Sequence, residues 1–229
     1  MDYRMTAIKR KITRLYSELL QLHGSQGWWP LIRRGHNGVL ELRYHSGPPR
    51  NSSQRFEIAV GAILTQNTSW EQAQRALLNL AELAVLEPKS LLELELTKLK
   101  RAIRPSGYYN RKARALREFA RFYLALNGKT PSRQELLACW GIGKETADSI
   151  LLYAYGQPTF VIDAYTRRIV SSLADGNADY DELKELFESA LGHDVRIFQE
   201  FHALLVKQAK SMRAKSILRQ SRASNFECS

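Results

Sequence analysis

Leu137-Ala138-Cys139-Trp140-Gly141-Ile142-Gly143-Lys144-Glu145-Thr146-Ala147 is the stretch whose reading decides the fold. Apolar residues close one helix, a Gly-Ile-Gly turn follows, and a second helix opens at once. Glycines admit the tight turn and let the backbone come close to a ligand. The new helix presents unpaired N–H groups, and its dipole favours an anion there. A DNA phosphate suits that place, and Lys144 adds a positive charge at the same spot. Taken alone, the turn serves equally well as a plain joint between two helices. Eighteen residues beyond Glu145, Phe160-Val161-Ile162-Asp163-Ala164-Tyr165-Thr166-Arg167-Arg168-Ile169 sets a carboxylate at the end of an apolar run, where a helix opens. That too has a plain reading, as an N-cap.

The rest of the chain narrows the choice. Its 229 residues suffice for one large domain or two small lobes, and 44% hydrophobic content supports a core. There are 34 Lys+Arg against 23 Asp+Glu, a net charge of +11, with a pI near 9.8. A folded chain this basic is drawn to a polyanion, nucleic acid before all others. The two cysteines, Cys139 and Cys228, are too few for a disulfide framework or for the four thiolates of an iron–sulfur cluster. The basic start has no apolar h-region after it, and no apolar run reaches membrane-spanning length. The expected location is the cytoplasm, at the nucleoid.

Periodicity predicts helices over 5–22, 56–65, 69–83, 91–103, 109–126, 132–138, 148–155 and about 195–213, with another opening near Asp163. Asp179 and Glu182 have capping-box spacing for one more. Residues 27–55 are rich in Gly and Pro and read as loop, with a short strand over 39–44. The tail after Lys215 reads as polar and loose. Helix 109–126 is basic and amphipathic, which makes Arg111 and Lys112 candidate phosphate contacts beside the hairpin. A solvated helix face explains the same charges.

Together these segments resemble the helix-hairpin-helix (HhH-GPD) superfamily of DNA glycosylases, the relatives of endonuclease III. Gly141, Gly143, Thr146, Ala147, Asp163 and Arg167 fall on the family's hairpin and aspartate pattern. Phe56–Thr68 resembles its early core helix and the loop that enters the duplex, and Arg104–Ala113 resembles the segment before a later barrel helix. Trp28-Trp29-Pro30 resembles the lesion-pocket wall of the 3-methyladenine branch.

The resemblance implies an all-α, two-lobed fold with the active site in the cleft between lobes. One lobe would be residues 56–160; the other would combine 1–55 and 161–229. The partner would be double-stranded DNA carrying a damaged base, bound by a monomer. Gly141, Gly143, Lys144 and Thr146 would hold its backbone, and Gln66 and Asn67 would fill the hole left by a flipped base. Asp163 would be the catalytic carboxylate, stabilising an oxocarbenium-like sugar and orienting water. Glu145 occupies the slot where strand-cleaving members carry a Schiff-base lysine. Lys144 beside it points about 100° away at ~3.6 residues per turn, so strong lyase activity is not expected. No iron–sulfur cluster is expected either, and a structural monovalent cation at the hairpin is compatible with the pattern. Trp28, Trp29, Pro30 and Phe56 would stack on a cationic alkylated purine, although paired tryptophans also simply fill cores.

One feature departs from that branch. About 25 residues (31–55) separate Trp-Trp-Pro from the Phe56 helix where relatives have a short link, and they carry Arg33, Arg34, His36, Arg43, His45, Arg50 and Arg55. They read as a DNA contact, a reshaped pocket or a solvated loop. Two other functions stay open: a glycosylase for oxidised or mismatched pyrimidines with weak lyase activity through Lys144, and a non-catalytic DNA-binding paralogue.

Overall fold

A computed structural model describes the backbone of residues 3–170 and 178–226 and the side chains of 5–170 and 178–212. Helix α1 (Tyr3–His23) is followed by the strands β1 (Leu31–Arg34) and β2 (Leu40–Arg43). Then come α2 (Ser52–Leu64), α3 (Trp70–Glu82), α4 (Pro88–Glu93), α5 (Leu96–Ile103), a 3-10 turn (Arg104–Ser106) and α6 (Tyr109–Ala125). Helices α7 (Arg133–Ala138) and α8 (Lys144–Ser149) flank the glycine turn, and α8 runs on into a π-helical turn (Ile150–Ala154). Helices α9 (Ala164–Val170), α10 (Tyr180–Leu191) and α11 (Val195–Phe226) complete the order. The fold is all-α, with one antiparallel ribbon among the described residues.

Caps written in the sequence start several helices. Asn51 accepts from Gln54 N–H at the head of α2, and Ser69 from Gln72 N–H at the head of α3. Ser132 with Glu135, and Asp179 with Glu182, form reciprocal capping boxes on α7 and α10. Gly192 ends α10 in the left-handed conformation, at φ 76°.

Three local expectations change. The strand expected over 39–44 is β2, but it pairs with an unexpected β1 in register Leu31↔Arg43 to Arg34↔Leu40, so residues 31–43 are a β-hairpin and not an irregular insertion. Asn37 Oδ1 accepts from Val39 N–H at 3.1 Å and tightens its turn. The run 91–103 is two helices, because the chain is extended at Leu94 and Glu95. Arg117 explains the break: its Nη2 takes up the carbonyls of Leu92 at 3.2 Å and Leu94 at 2.7 Å. The last helix continues past Lys215 to Phe226, where a loose tail was expected, and Cys228 lies outside the described residues.

The chain divides into two compact units, residues 1–26 with 160–229, and residues 27–159. The first is built on α1, α9, α10 and α11 around Phe160, Phe187, Phe198 and Phe201, with Phe160 and Phe187 stacked at 4.5 Å. The second is built around α2, whose residues from Phe56 to Leu64 are all buried. Residues 27–55, grouped with the termini on sequence, belong to this second unit. The reason is packing: β1 lies on α2, β2 lies on α3, and Leu31 is 1% exposed.

The join of hairpin to α2 carries a charge. Glu57, 8% exposed, accepts from Ile32 N–H at 2.6 Å. Burial drives its pKa from 4.5 to about 7, against the opposing pull of that N–H and of Arg33. The fold therefore favours the neutral carboxyl. This contribution is full below the unfolded value of 4.5 and is lost as pH rises through about 7. Glu57→Gln keeps an acceptor for Ile32 and has no charge to bury. Thermal melts should show the variant gaining on the parent as pH climbs through that window. A gap that stays flat with pH would refute the assignment.

Candidate active site and nucleic-acid interface

The hairpin turn is fixed from both sides. Asp148 on α8 is fully buried and receives a forked pair from Arg133 on α7, Nε to Oδ1 at 2.8 Å and Nη2 to Oδ2 at 3.0 Å. Between the two helices Gly141 sits at φ +84°, and a Cβ there would lie 2.8 Å from the Cβ of Ala115 on α6. Only glycine meets both demands. Ile142 is buried and anchors the turn, while Gly143, Lys144 and Glu145 are exposed. Gly143 caps α8, with its carbonyl accepting from Ala147 N–H at 2.9 Å. The exposed residues of the turn are thus Gly141, Gly143, Lys144 and Glu145.

Gln66 belongs to the same construction. Its Nε2 donates to Gly141 O and to Thr146 Oγ1, both at 2.9 Å. Thr146, a candidate DNA contact on sequence, is 6% exposed. Its hydroxyl faces inward and holds Gln66. Asn67 is exposed at the tip of its loop, with φ 49°.

Lys112 is a second correction. It is 2% exposed and reaches no surface; its Nζ donates to Leu64 O at 2.8 Å and Ser106 O at 2.6 Å. Burial pushes its pKa down to about 8. The ammonium ties the end of α2 to the 3-10 turn, so it braces the two loops that carry Asn67 and Tyr108. Tyr108 was missed on sequence. It is 66% exposed and left-handed at φ 44°, just before α6. An aromatic residue directly after Gly107, ahead of a basic helix, was the available signal. Arg111 is exposed one turn into α6, and Arg114 lies over the Trp140 ring at 4.1 Å.

The aromatic candidates are only partly surface groups. Phe56 is fully buried, stacked with Phe119 and edge-on to Tyr123, so it offers no face to a ligand. Pro30 is buried, and Trp29 is 8% exposed, packed on Gly61 of α2 and on Tyr153. Trp28 alone of the four keeps exposed surface. Its ring meets Trp70 at 4.6 Å and Tyr44 at 5.5 Å, two rings the sequence did not single out.

Asp163 lies in the other unit, at the head of α9. Its Oδ1 accepts from Thr166 N–H at 2.6 Å, and its backbone carbonyl accepts from Arg167 N–H at 3.0 Å. Its Oδ2 is 3.5 Å from His202 Nε2 on α11. Burial works to raise its pKa, but the His202 pairing and the Thr166 N–H prevail and hold the carboxyl below its ordinary range. His202 escaped sequence reading because a lone histidine among Phe201, Ala203, Leu204 and Leu205 looks like core.

Among the described residues, no cluster of three His, Cys, Asp or Glu side chains has the arrangement to hold a metal ion. Four cysteine thiolates for an iron–sulfur cluster do not fit this donor set, since the chain has two cysteines and one of them, Cys139, is the residue that ends α7. No helix among them is long and apolar enough to cross a membrane.

Comparison with known proteins agrees with this architecture. The profile described as "HhH-GPD superfamily base excision DNA repair protein" matches residues 60–193. A Methanocaldococcus jannaschii protein, provisionally named a DNA repair glycosylase, is 41% identical over 220 residues, 90% of each chain. Endonuclease III of Thermotoga maritima is 30% identical over 136 residues, covering 55% of this chain and 60% of that one. In structure, H. pylori 3-methyladenine DNA glycosylase bound to 1,N6-ethenoadenine is similar with a TM-score of 0.65 and 26% identity, covering 93% of this chain and 99% of that one. A non-covalent endonuclease III–DNA complex shares the fold at a TM-score of 0.68 and 19% identity, over 86% and 84% of the two chains. The chain belongs to the HhH-GPD superfamily of base excision DNA repair proteins.

Proposed function

We propose that this DNA glycosylase is monofunctional and hydrolyses the N-glycosidic bond of flipped-out alkylated purines, with Asp163 as its catalytic carboxylate. The observation that carries this reading is the placement of Asp163: a buried carboxylate whose Oδ1 accepts from Thr166 N–H at the head of α9 and whose Oδ2 lies 3.5 Å from His202 Nε2, partners that favour its ionised form. An N-cap alone needs only a hydrogen-bond acceptor; a charge held out of water suits a developing cation. As the C1′–N bond breaks, its electron pair leaves with the base and the sugar becomes oxocarbenium-like. Asp163 stabilises that cation, and water adds at C1′ and gives up a proton. An N-alkylated purine departs as a neutral base from a cationic nucleotide, so no strong acid is required.

Trp28 is the ring with exposed surface that stacks on such a base. Trp29 backs it from within the core, with ring centroids 5.6 Å apart. The amides of Gly141 and Gly143, with Lys144 and Arg111, hold phosphates. Asn67 and the exposed Tyr108 are the groups that replace the extruded base. Glu145 stands where a Schiff-base lysine would, so hydrolysis proceeds without strand cleavage. The likeness to the H. pylori 3-methyladenine enzyme over nearly its whole length supports the choice of base.

Incubation with methylated DNA, followed by chromatography of released bases, tests the reading. Release of 3-methyladenine is expected, and Asp163→Asn should lower its rate by about 100-fold or more while duplex binding persists. Release at the parent rate would remove Asp163 from the mechanism, and no methylated base at all would remove the alkylpurine. A borohydride-trapped adduct would instead favour lyase chemistry through Lys144.

His202 gives a second test. Its loss in His202→Gln takes away the main influence that lowers the Asp163 pKa, leaving Thr166 alone to oppose the upward push of burial. The acid limb of the single-turnover pH–rate profile should move to higher pH. An unmoved limb would exclude His202 as the partner that keeps Asp163 charged.

A further inference from the structure

Residues 31–55 form an ordered mount stitched to both flanks of Trp28-Trp29. On the near flank, His45 N–H donates to Gly27 O at 2.8 Å, and a Cβ on Gly27, at φ +60°, would lie 2.2 Å from the His45 ring. On the far flank, Ile32 N–H is held by the buried Glu57 carboxyl at 2.6 Å. Between these ties Tyr44, at the exit of β2, reaches across to α3. Its hydroxyl accepts from Trp70 Nε1 at 2.9 Å while its ring contacts Trp28 at 5.5 Å.

We propose that the β1–β2 hairpin, acting through Tyr44, sets the ring plane of Trp28 and makes Tyr44 a positioning residue for the choice of damaged base. This rests on Trp28 being the stacking surface argued above. Trp28 is wedged among rings from three elements: Tyr44 of the hairpin, Trp70 at the start of α3, and Trp29, which is seated on Gly61 of α2. The Trp28–Trp70 and Trp28–Tyr44 planes meet at 59° and 44°. Tilted contacts of this kind fix orientation as well as place, because edge and face of a ring differ in charge. Trp70 is held against both tryptophans by a single side-chain hydrogen bond, the one to Tyr44. A cation above an indole is bound through the face of the ring, so a change in tilt alters which methylated purine overlaps it. Tyr44 is itself 40% exposed, on the solvent side of this cluster.

Methylated DNA offers an internal comparison, because it carries 3-methyladenine and 7-methylguanine on one substrate. Tyr44→Phe keeps the ring and removes the hydroxyl alone. The ratio of the two bases released should shift by about fivefold, the size of one lost hydrogen bond, and the near-ultraviolet circular dichroism of the tryptophans should change with it. A purely structural role would lower both releases by one factor and leave the ratio alone. Trp28→Ala is the control and should depress release of both bases. If Tyr44→Phe keeps the parent ratio while Trp28→Ala loses release, the hairpin merely covers the cluster and the inference is overturned, with the Trp28 reading intact. If Trp28→Ala matches the parent, the stacking reading falls and this inference falls with it.

Discussion

One buried carboxylate holds the nucleic-acid face in shape. Asp148 has no access to water, and such a charge is tolerated only when its acceptor sites are filled. Arg133 fills them with two parallel N–H groups from α7, and Thr159 adds its hydroxyl at 3.1 Å. The forked geometry fixes direction as well as distance. It therefore sets α7 against α8, the two helices that the turn must join. The seat of Gly141 on Ala115 and the reach of Gln66 to Gly141 and Thr146 both depend on that angle. Thr159, the last residue of the second unit, is pinned by that bond just before the apolar run that ends in Asp163.

Burial separates groups that can touch a ligand from groups that place them. Lys112, Thr146, Phe56 and Trp29 stand at family-like positions, yet each spends its chemistry inside the protein. The ammonium of Lys112 is the clearest case. A lysine on a basic helix looks like a phosphate contact, but here it satisfies two carbonyls at the ends of neighbouring elements. It joins the end of α2 to the 3-10 turn instead of facing solvent.

Much of this was legible in the sequence because the signals are local. Capping residues and the Gly-Ile-Gly turn act within a few residues of where they are written, and Asp163 was found through its place in the family-like pattern. At 31–43 only the second strand was legible; β1 and its pairing were hidden because the strand is four residues long and sits among glycines and prolines. The break at Leu94 was hidden because its cause, Arg117, lies 23 residues away. His202 and Tyr44 were hidden for the same reason: one matters through Asp163 and the other through Trp70, and neither pairing leaves a trace in spacing. Tertiary partners, unlike caps and turns, have no fixed offset along the chain.

Asp163 caps α9 through one oxygen and carries its charge on the same small group. Asparagine caps a helix about as well as aspartate, and the codons of the two residues differ by a single base. On the catalytic role proposed for Asp163, chemistry and folding are separable at this position by one mutational step. A gene copy that takes the step would still yield a folded protein able to occupy DNA, and it would compete with the active enzyme for the same lesions. On that proposal the reaction can be lost without the scaffold, and an intact hairpin alone does not mark an active enzyme.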